Sequence, residues 1–196
     1  VTSNNNMTSE VNKRLVAANR CYYGLMKNLR SKLISRQTKV HLYKVLVRPV
    51  LCYGSQTWTL TKENEKDLLI FERKILRSIY GPVRDGHVWR SRKNRELYEL
   101  FAEADVVRVI KLGRLSWAGH LARMSDHAIP RKTFEQAIYG TRRAGRPRLR
   151  WTDGVAAKAR SMLGIRNWKA AAQNRAEWRK LVEEAKTPPR VVEPRK

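Results

Sequence analysis

Residues 140–153 read GTRRAGRPRLRWTD, and five of the nine positions 142–150 are arginine: Arg142, Arg143, Arg146, Arg148 and Arg150, with Trp151 directly behind. Guanidinium groups at this density repel one another unless an anion lies opposite, and their planar forks match phosphate oxygens in pairs. Gly145 and Pro147 hold the backbone out of a helix, so the forks can spread along a phosphate track while the Trp151 indole offers a face to a base. The chemistry this points to is contact with a nucleic-acid backbone. A solvated basic linker between two helices is the alternative reading of the same residues.

The rest of the chain favours the first reading. Forty-two Lys and Arg against seventeen Asp and Glu leave +25 on 196 residues, with an isoelectric point near 10.9. That balance makes a polyanion the first partner to consider. The excess is uneven: +10 over residues 1–80, +4 over 81–135 and +11 over 136–196. At 42% hydrophobic residues, with six Trp and seven Tyr, the chain can bury one or two small cores and is more than a disordered polycation.

Other chemistries find little support. Cys21 and Cys52 are too few for a disulfide framework or a zinc ribbon and favour a reducing compartment. His120 and His127 have no Cys at ligand spacing, so no metal site is expected. The acidic residues include no group placed to converge on magnesium. Glu63, Glu65 and Asp67 fall in first turns of a helix, Asp105 and Asp153 at N-termini, and Glu96, Glu99 and Glu103 on one exposed stripe. With no Gly-rich phosphate loop and no nucleophile elbow, no catalytic residue and no cofactor are expected in these 196 residues. No run of 18 apolar residues exists, and the longest apolar segment, 45–53, is interrupted by Arg48 and Pro49, so no membrane span is expected. No signal peptide is read in the sequence, and a first residue Val1 rather than Met suggests a piece of something longer.

Periodicity predicts an all-α architecture. Val11, Leu15, Ala18, Tyr22, Leu25 and Leu29 form the seam of a first helix that Ser9 can cap. A second opens at Ser35 with Val40, Tyr43, Leu46, Val47 and Val50 on one face and a break expected near Arg48, before Pro49. Thr61 caps a third, bearing Leu68, Phe71, Ile75, Leu76 and Ile79, that stops at Gly81-Pro82. Asn94 starts a short helix through Phe101, and from Asp105 a long amphipathic helix carries Arg108, Lys111, Arg114 and Arg123 off its apolar face. A brief helical turn follows Pro130. Beyond the arginine loop, Thr152 or Asp153 caps one helix and Asn167 another, which carries Trp168, Trp178 and Val182. The only place a strand could hide is 51–60. Trp117, Trp168 and Trp178 read as core, whereas Trp151 and Trp89, flanked by arginine, read as stacking candidates. The expected domains are a helical bundle over 1–83, a helical connector over 84–139, a basic Trp-containing helical module over 140–186 and a disordered tail over 187–196.

Three segments, in order, resemble the non-LTR retrotransposon reverse transcriptases of the RTE type. They are residues 40–60 with Tyr43, Pro49, Leu51, Tyr53-Gly54 and Thr57-Trp58; residues 115–124 with the run SWAGHLARM; and GRPRLRWTD at 145–153, followed by Trp168, Ala171, Arg175 and Trp178-Arg179. The resemblance implies a thumb plus the carboxy-terminal region of an endonuclease/reverse transcriptase, with the palm and its metal-binding aspartates and the endonuclease domain upstream. It implies a bundle that holds RNA or DNA by its backbone, with Lys13, Arg14, Lys27 and Arg30 as thumb contacts. Arg20, Arg36, Lys39 and Lys44 would add to that surface. The Cys/His knuckle that many relatives carry is missing, so zinc-dependent RNA binding does not transfer. The expected role is a non-catalytic nucleic-acid-binding part of a nuclear protein. A helical protein–protein adaptor and an inert retrotransposon remnant are the alternatives.

Overall fold

The computed structural model describes residues 6–136, 144–145 and 150–187. Within them the chain is helical apart from one two-stranded hairpin, in line with the all-α expectation. It forms two compact units: residues 1–54 with 60–108, and residues 55–59 with 109–196.

The first unit is built around α5 (Lys62–Tyr80), which packs against α1 (Met7–Gly24), α2 (Met26–Arg30), α3 (Arg36–Leu42) and α6 (Asn94–Phe101). Its borders follow local chemistry. The Thr61 side chain accepts from Asn64 N–H while Asn64 Oδ1 accepts from Thr61 N–H, a reciprocal cap. At the far end Gly81 takes a φ of 69°, which a side chain would resist. Ser35 caps α3 as expected, but α1 starts earlier than Ser9 suggested: Asn6 Oδ1 accepts from the amides of Thr8 and Ser9. The seam helix also breaks at Leu25 into α1 and α2.

The stretch before Pro49 departs from a plain helix. Residues Tyr43–Val47 are π-helical and lead without a break into α4 (Arg48–Cys52), where Pro49, which has no N–H to donate, follows directly on the widened turn. The wider turn lets residues four apart share a face. Lys39, Tyr43, Val47 and Leu51 are therefore the buried set, whereas Leu46 is exposed and Val40 only half-buried.

The two strands lie outside 51–60, the one place where the sequence left room for a strand. They are β1 (Val83–Asp85) and β2 (Val88–Arg90), paired antiparallel about Gly86-His87; residues 55–57 form a single 3-10 turn instead. Three-residue strands are too short for alternation to show, and the Asp85-Gly86 turn was their one local signal.

The second unit packs α7 (Val106–Arg123, from Val109 on), α8 (Ile129–Glu135), α9 (Trp151–Leu163), α10 (Trp168–Gln173) and α11 (Arg175–Glu184). Its core holds Leu112, Leu115, Ala118, Val155, Ala159, Trp168, Ala172 and Trp178. Two expectations are corrected here. The helix after Asn167 is two helices, because Asn174 Oδ1 caps a fresh start at Glu177 N–H. And α9 begins at Trp151 with Arg150 at its N-cap, ahead of Thr152 and Asp153. Nor does α7 have a plain basic side: Arg114 is 5% exposed, and the Arg123 fork donates to the Ala172 carbonyl at 2.5 Å.

Candidate nucleic-acid interface

Of the ten residues singled out for backbone contact, Arg142, Arg143, Arg146 and Arg148 lie outside the described residues. The other six fall in two sets, one in each unit.

In the first unit, Lys13 is exposed on α1 and Arg20 follows seven residues later, so the two share a helical face along a shallow groove that Asn12 and Val16 also line. Lys27 and Arg30 are exposed on α2. Residues 1–62 hold eleven Lys and Arg and a single carboxylate, Glu10. That carboxylate is engaged. Arg14 Nε donates to Glu10 Oε1 at 2.9 Å, and the Arg14 guanidinium lies 4.7 Å over the Tyr53 ring. Arg14 thus differs from its three companions: its charge is opposed and its side chain is only 28% exposed. Two further cations are withdrawn from the surface the resemblance implied. Lys39 is 7% exposed, on the face that the π-helical turn brings inward, and Lys44 Nζ bonds Glu103 Oε1 at 2.8 Å.

In the second unit, Arg150 is half-buried at the N-cap of α9. Trp151 is held on several sides. Its indole N–H donates to the Gln56 carbonyl at 2.8 Å, its ring meets Phe134 edge-on at 5.7 Å, and the Arg114 guanidinium lies 6.0 Å from the ring centre. The aromatic chain continues from Phe134 to Trp168 and on to Trp178. Trp168 and Trp178 are buried as expected; Trp117 is half-buried and tilts against His120. Trp89 is 66% exposed on β2.

Sequence reasoning overlooked the most unusual ionisable group. Glu72 is fully buried on α5, where its Oε1 accepts from the Tyr43 hydroxyl at 2.8 Å and its Oε2 from the Tyr98 hydroxyl at 3.2 Å and the Val106 N–H at 3.1 Å. Burial pushes its pKa up to about 7 against the pull of these three donors, and also lifts the Tyr43 and Tyr98 hydroxyls well above their ordinary value. The available signal was a carboxylate between Phe71 and Ile75 on an apolar stripe. The Cys52 thiol, pushed up to about 12 by burial, stays protonated and is a poor nucleophile.

A second overlooked group lies at the hairpin. Glu96, expected on an exposed stripe, is half-buried and receives both fork nitrogens of Arg90, at 2.7 and 3.0 Å, and the Lys93 N–H at 2.8 Å. The Arg90 bonds, and then the Lys93 amide, hold its carboxyl down at about 2. Among the described residues no cluster of His, Cys, Asp or Glu could hold a metal ion, and no helix is long and apolar enough to cross a membrane.

Fold and surface define a helical, strongly basic protein of two compact units. No family model matches the chain, and no solved structure matches it. The chain is similar to a Caenorhabditis elegans protein described as transposon-derived, with 27% identity over 183 residues, 91% of this chain. The match spans 65% of that protein's length.

Proposed function

We propose that this chain is a non-catalytic nucleic-acid-binding part of a transposon-encoded protein, one that holds RNA or DNA by its phosphates without reading bases. The observation that carries the reading is the set of exposed cations on α1 and α2 in a stretch of sequence nearly free of carboxylates. Lys13, Arg20, Lys27 and Arg30 stand exposed on a folded helical scaffold in a segment of 62 residues whose one acid is already bonded to Arg14. Such a surface lowers its energy by displacing the counterions condensed on a polyanion. The similarity to a transposon-derived protein supports the origin. The three motifs of the sequence support a finer parentage, the thumb and carboxy-terminal region of a non-LTR reverse transcriptase, whose palm would carry the bond-making chemistry and whose work would be nuclear. The arginines of 142–150 would add a second patch.

The test is binding of the purified chain to heparin and to oligonucleotides of unrelated sequence. The expected dissociation constant is on the order of 10⁻⁴ to 10⁻⁶ M at physiological salt, nearly independent of sequence, with a steep loss as salt rises. A chain that ignores both polyanions in dilute buffer refutes the reading.

A further inference from the structure

The hairpin Val83–Arg90 is a different element of the first unit from α1 and α2, which carry Lys13, Arg20, Lys27 and Arg30. Arg84 pairs with Trp89 across the two strands, and Asp85 with Val88. Alternation along each strand therefore places Arg84 and Trp89 side by side on one face, and Val83, Asp85, Val88 and Arg90 on the other. The second face is tied down. Arg90 spans Asp85 at 2.8 Å and both oxygens of Glu96, which joins the hairpin to the first turn of α6. Behind it the Arg92 Nε donates to the Gly81 carbonyl at 3.1 Å and fixes the root. At the tip Gly86 turns the chain with a φ of 60°, and its carbonyl receives the Arg84 Nε at 3.1 Å.

So short a ribbon has no core, yet it is held to α6 through Glu96 and at its root through Gly81, and it displays an indole that is 66% exposed beside an arginine. The local charge favours an anionic partner. Asp85 and Glu96 are taken up by Arg90, and Glu99 by Arg95, so these three carboxylates of the segment are already engaged. An indole face and a cation fork on a rigid mount suit a flat ring attached to a phosphate chain. We infer that the Arg84–Trp89 face of the hairpin is a stacking platform for an unpaired base of single-stranded nucleic acid, distinct from the phosphate contacts of α1 and α2. This rests on the nucleic-acid-binding reading above and adds strand state to it: the chain prefers a single strand, or a duplex with an unpaired end, over a blunt duplex.

The experiment compares wild type, Trp89→Ala and Trp89→Phe as full chains on a single strand of about 12 nucleotides and on the blunt duplex of the same length, across a salt series. Trp89→Ala is expected to weaken single-strand binding roughly ten-fold, to leave the blunt duplex within about two-fold, and to keep the salt slope, because no phosphate contact is lost. Trp89→Phe should retain most of the affinity. Unchanged single-strand binding in Trp89→Ala, or an equal loss on the duplex, overturns the platform while leaving the phosphate reading intact. So does an altered self-association by sedimentation with oligonucleotide affinity unaffected, which would assign the face to a second copy of the chain. Absence of binding by the wild type itself removes both readings.

Discussion

A carbon added to Gly119 at the Cβ position would lie 2.2 Å from Nε1 of Trp178, which donates its proton to the Leu115 carbonyl one turn earlier on the same helix at 3.1 Å. The indole of α11 is thus laid directly across the backbone of α7, and only glycine leaves room for it. Gly119 belongs to the SWAGHLARM run and Trp178 to the carboxy-terminal motif, so two of the segments that carry the family resemblance meet at this crossing. A third joins them in the same unit, where Gln56 accepts from Trp151 and Trp58 is 2% exposed.

Gly119→Ala should therefore destabilise the second unit by about 2–4 kcal/mol, because a buried indole must leave its carbonyl and repack. Urea unfolding followed by tryptophan fluorescence reads this. A loss within about 0.5 kcal/mol would mean that the close approach does not hold in solution.

Trp151→Phe should cost about 1–3 kcal/mol, since it keeps the edge contact with Phe134 but leaves the Gln56 carbonyl without its donor. If instead the variant folds as stably as wild type and loses only oligonucleotide affinity, Trp151 serves the nucleic acid rather than the core.

The buried Glu72 makes the first unit pH-sensitive. Its carboxyl holds a proton more tightly when folded, about 7 against an ordinary 4.5, so the stability linked to it is fully present below 4.5 and is lost as pH rises through 7. The total is up to about 3 kcal/mol. Comparing denaturant midpoints of wild type and Glu72→Gln between these pH values isolates the effect: wild type should weaken with rising pH more steeply than the variant. Parallel pH profiles would show that Glu72 does not titrate in this window. At low pH Glu72→Gln should lie close to wild type in stability, because its amide oxygen can accept from the Tyr98 hydroxyl and the Val106 N–H while its N–H₂ donates to the Tyr43 hydroxyl oxygen, as the protonated carboxyl would.

The cations separate by what already opposes them. Removing Lys13, Lys27 and Arg30 together should flatten the dependence of log affinity on log salt by roughly 2–3 units on DNA, and replacing the five arginines of 142–150 by alanine should flatten it by several units. Arg14→Ala should barely change the slope, because Glu10 has already neutralised that charge, and should instead cost stability by about 0.5–1 kcal/mol through the lost pair and the uncovered Tyr53 ring. An Arg14 effect on slope as large as that of Lys13 would mean that the Glu10 pair opens on binding.

Much of the helical inventory is local and was legible as such. Caps at Ser35, Thr61 and Asn167, the stop at Gly81 and the limits of α6 at Asn94 and Phe101 follow from hydrogen bonds and dihedrals that span four residues or fewer. The strong positive charge and the burial of Trp168 and Trp178 likewise follow from composition and from a period of 3.6. The inward face of residues 39–51 was misjudged because a π-helical turn changes the period within a single helical run, and periodicity assumes that it does not.

What only the tertiary structure decided are the partners. That Arg14 is stacked while Lys13 is displayed, that Glu72 serves three donors, that Arg90 and Glu96 brace the hairpin beneath an exposed Trp89, and that Gly119 must be glycine all depend on which segments the fold brings together. Trp151 and its acceptor are 95 residues apart. A propensity or a cap is set by neighbours along the chain, whereas the fate of a side chain's charge or ring is set by neighbours in space, and the spacing of residues in sequence does not encode that distance.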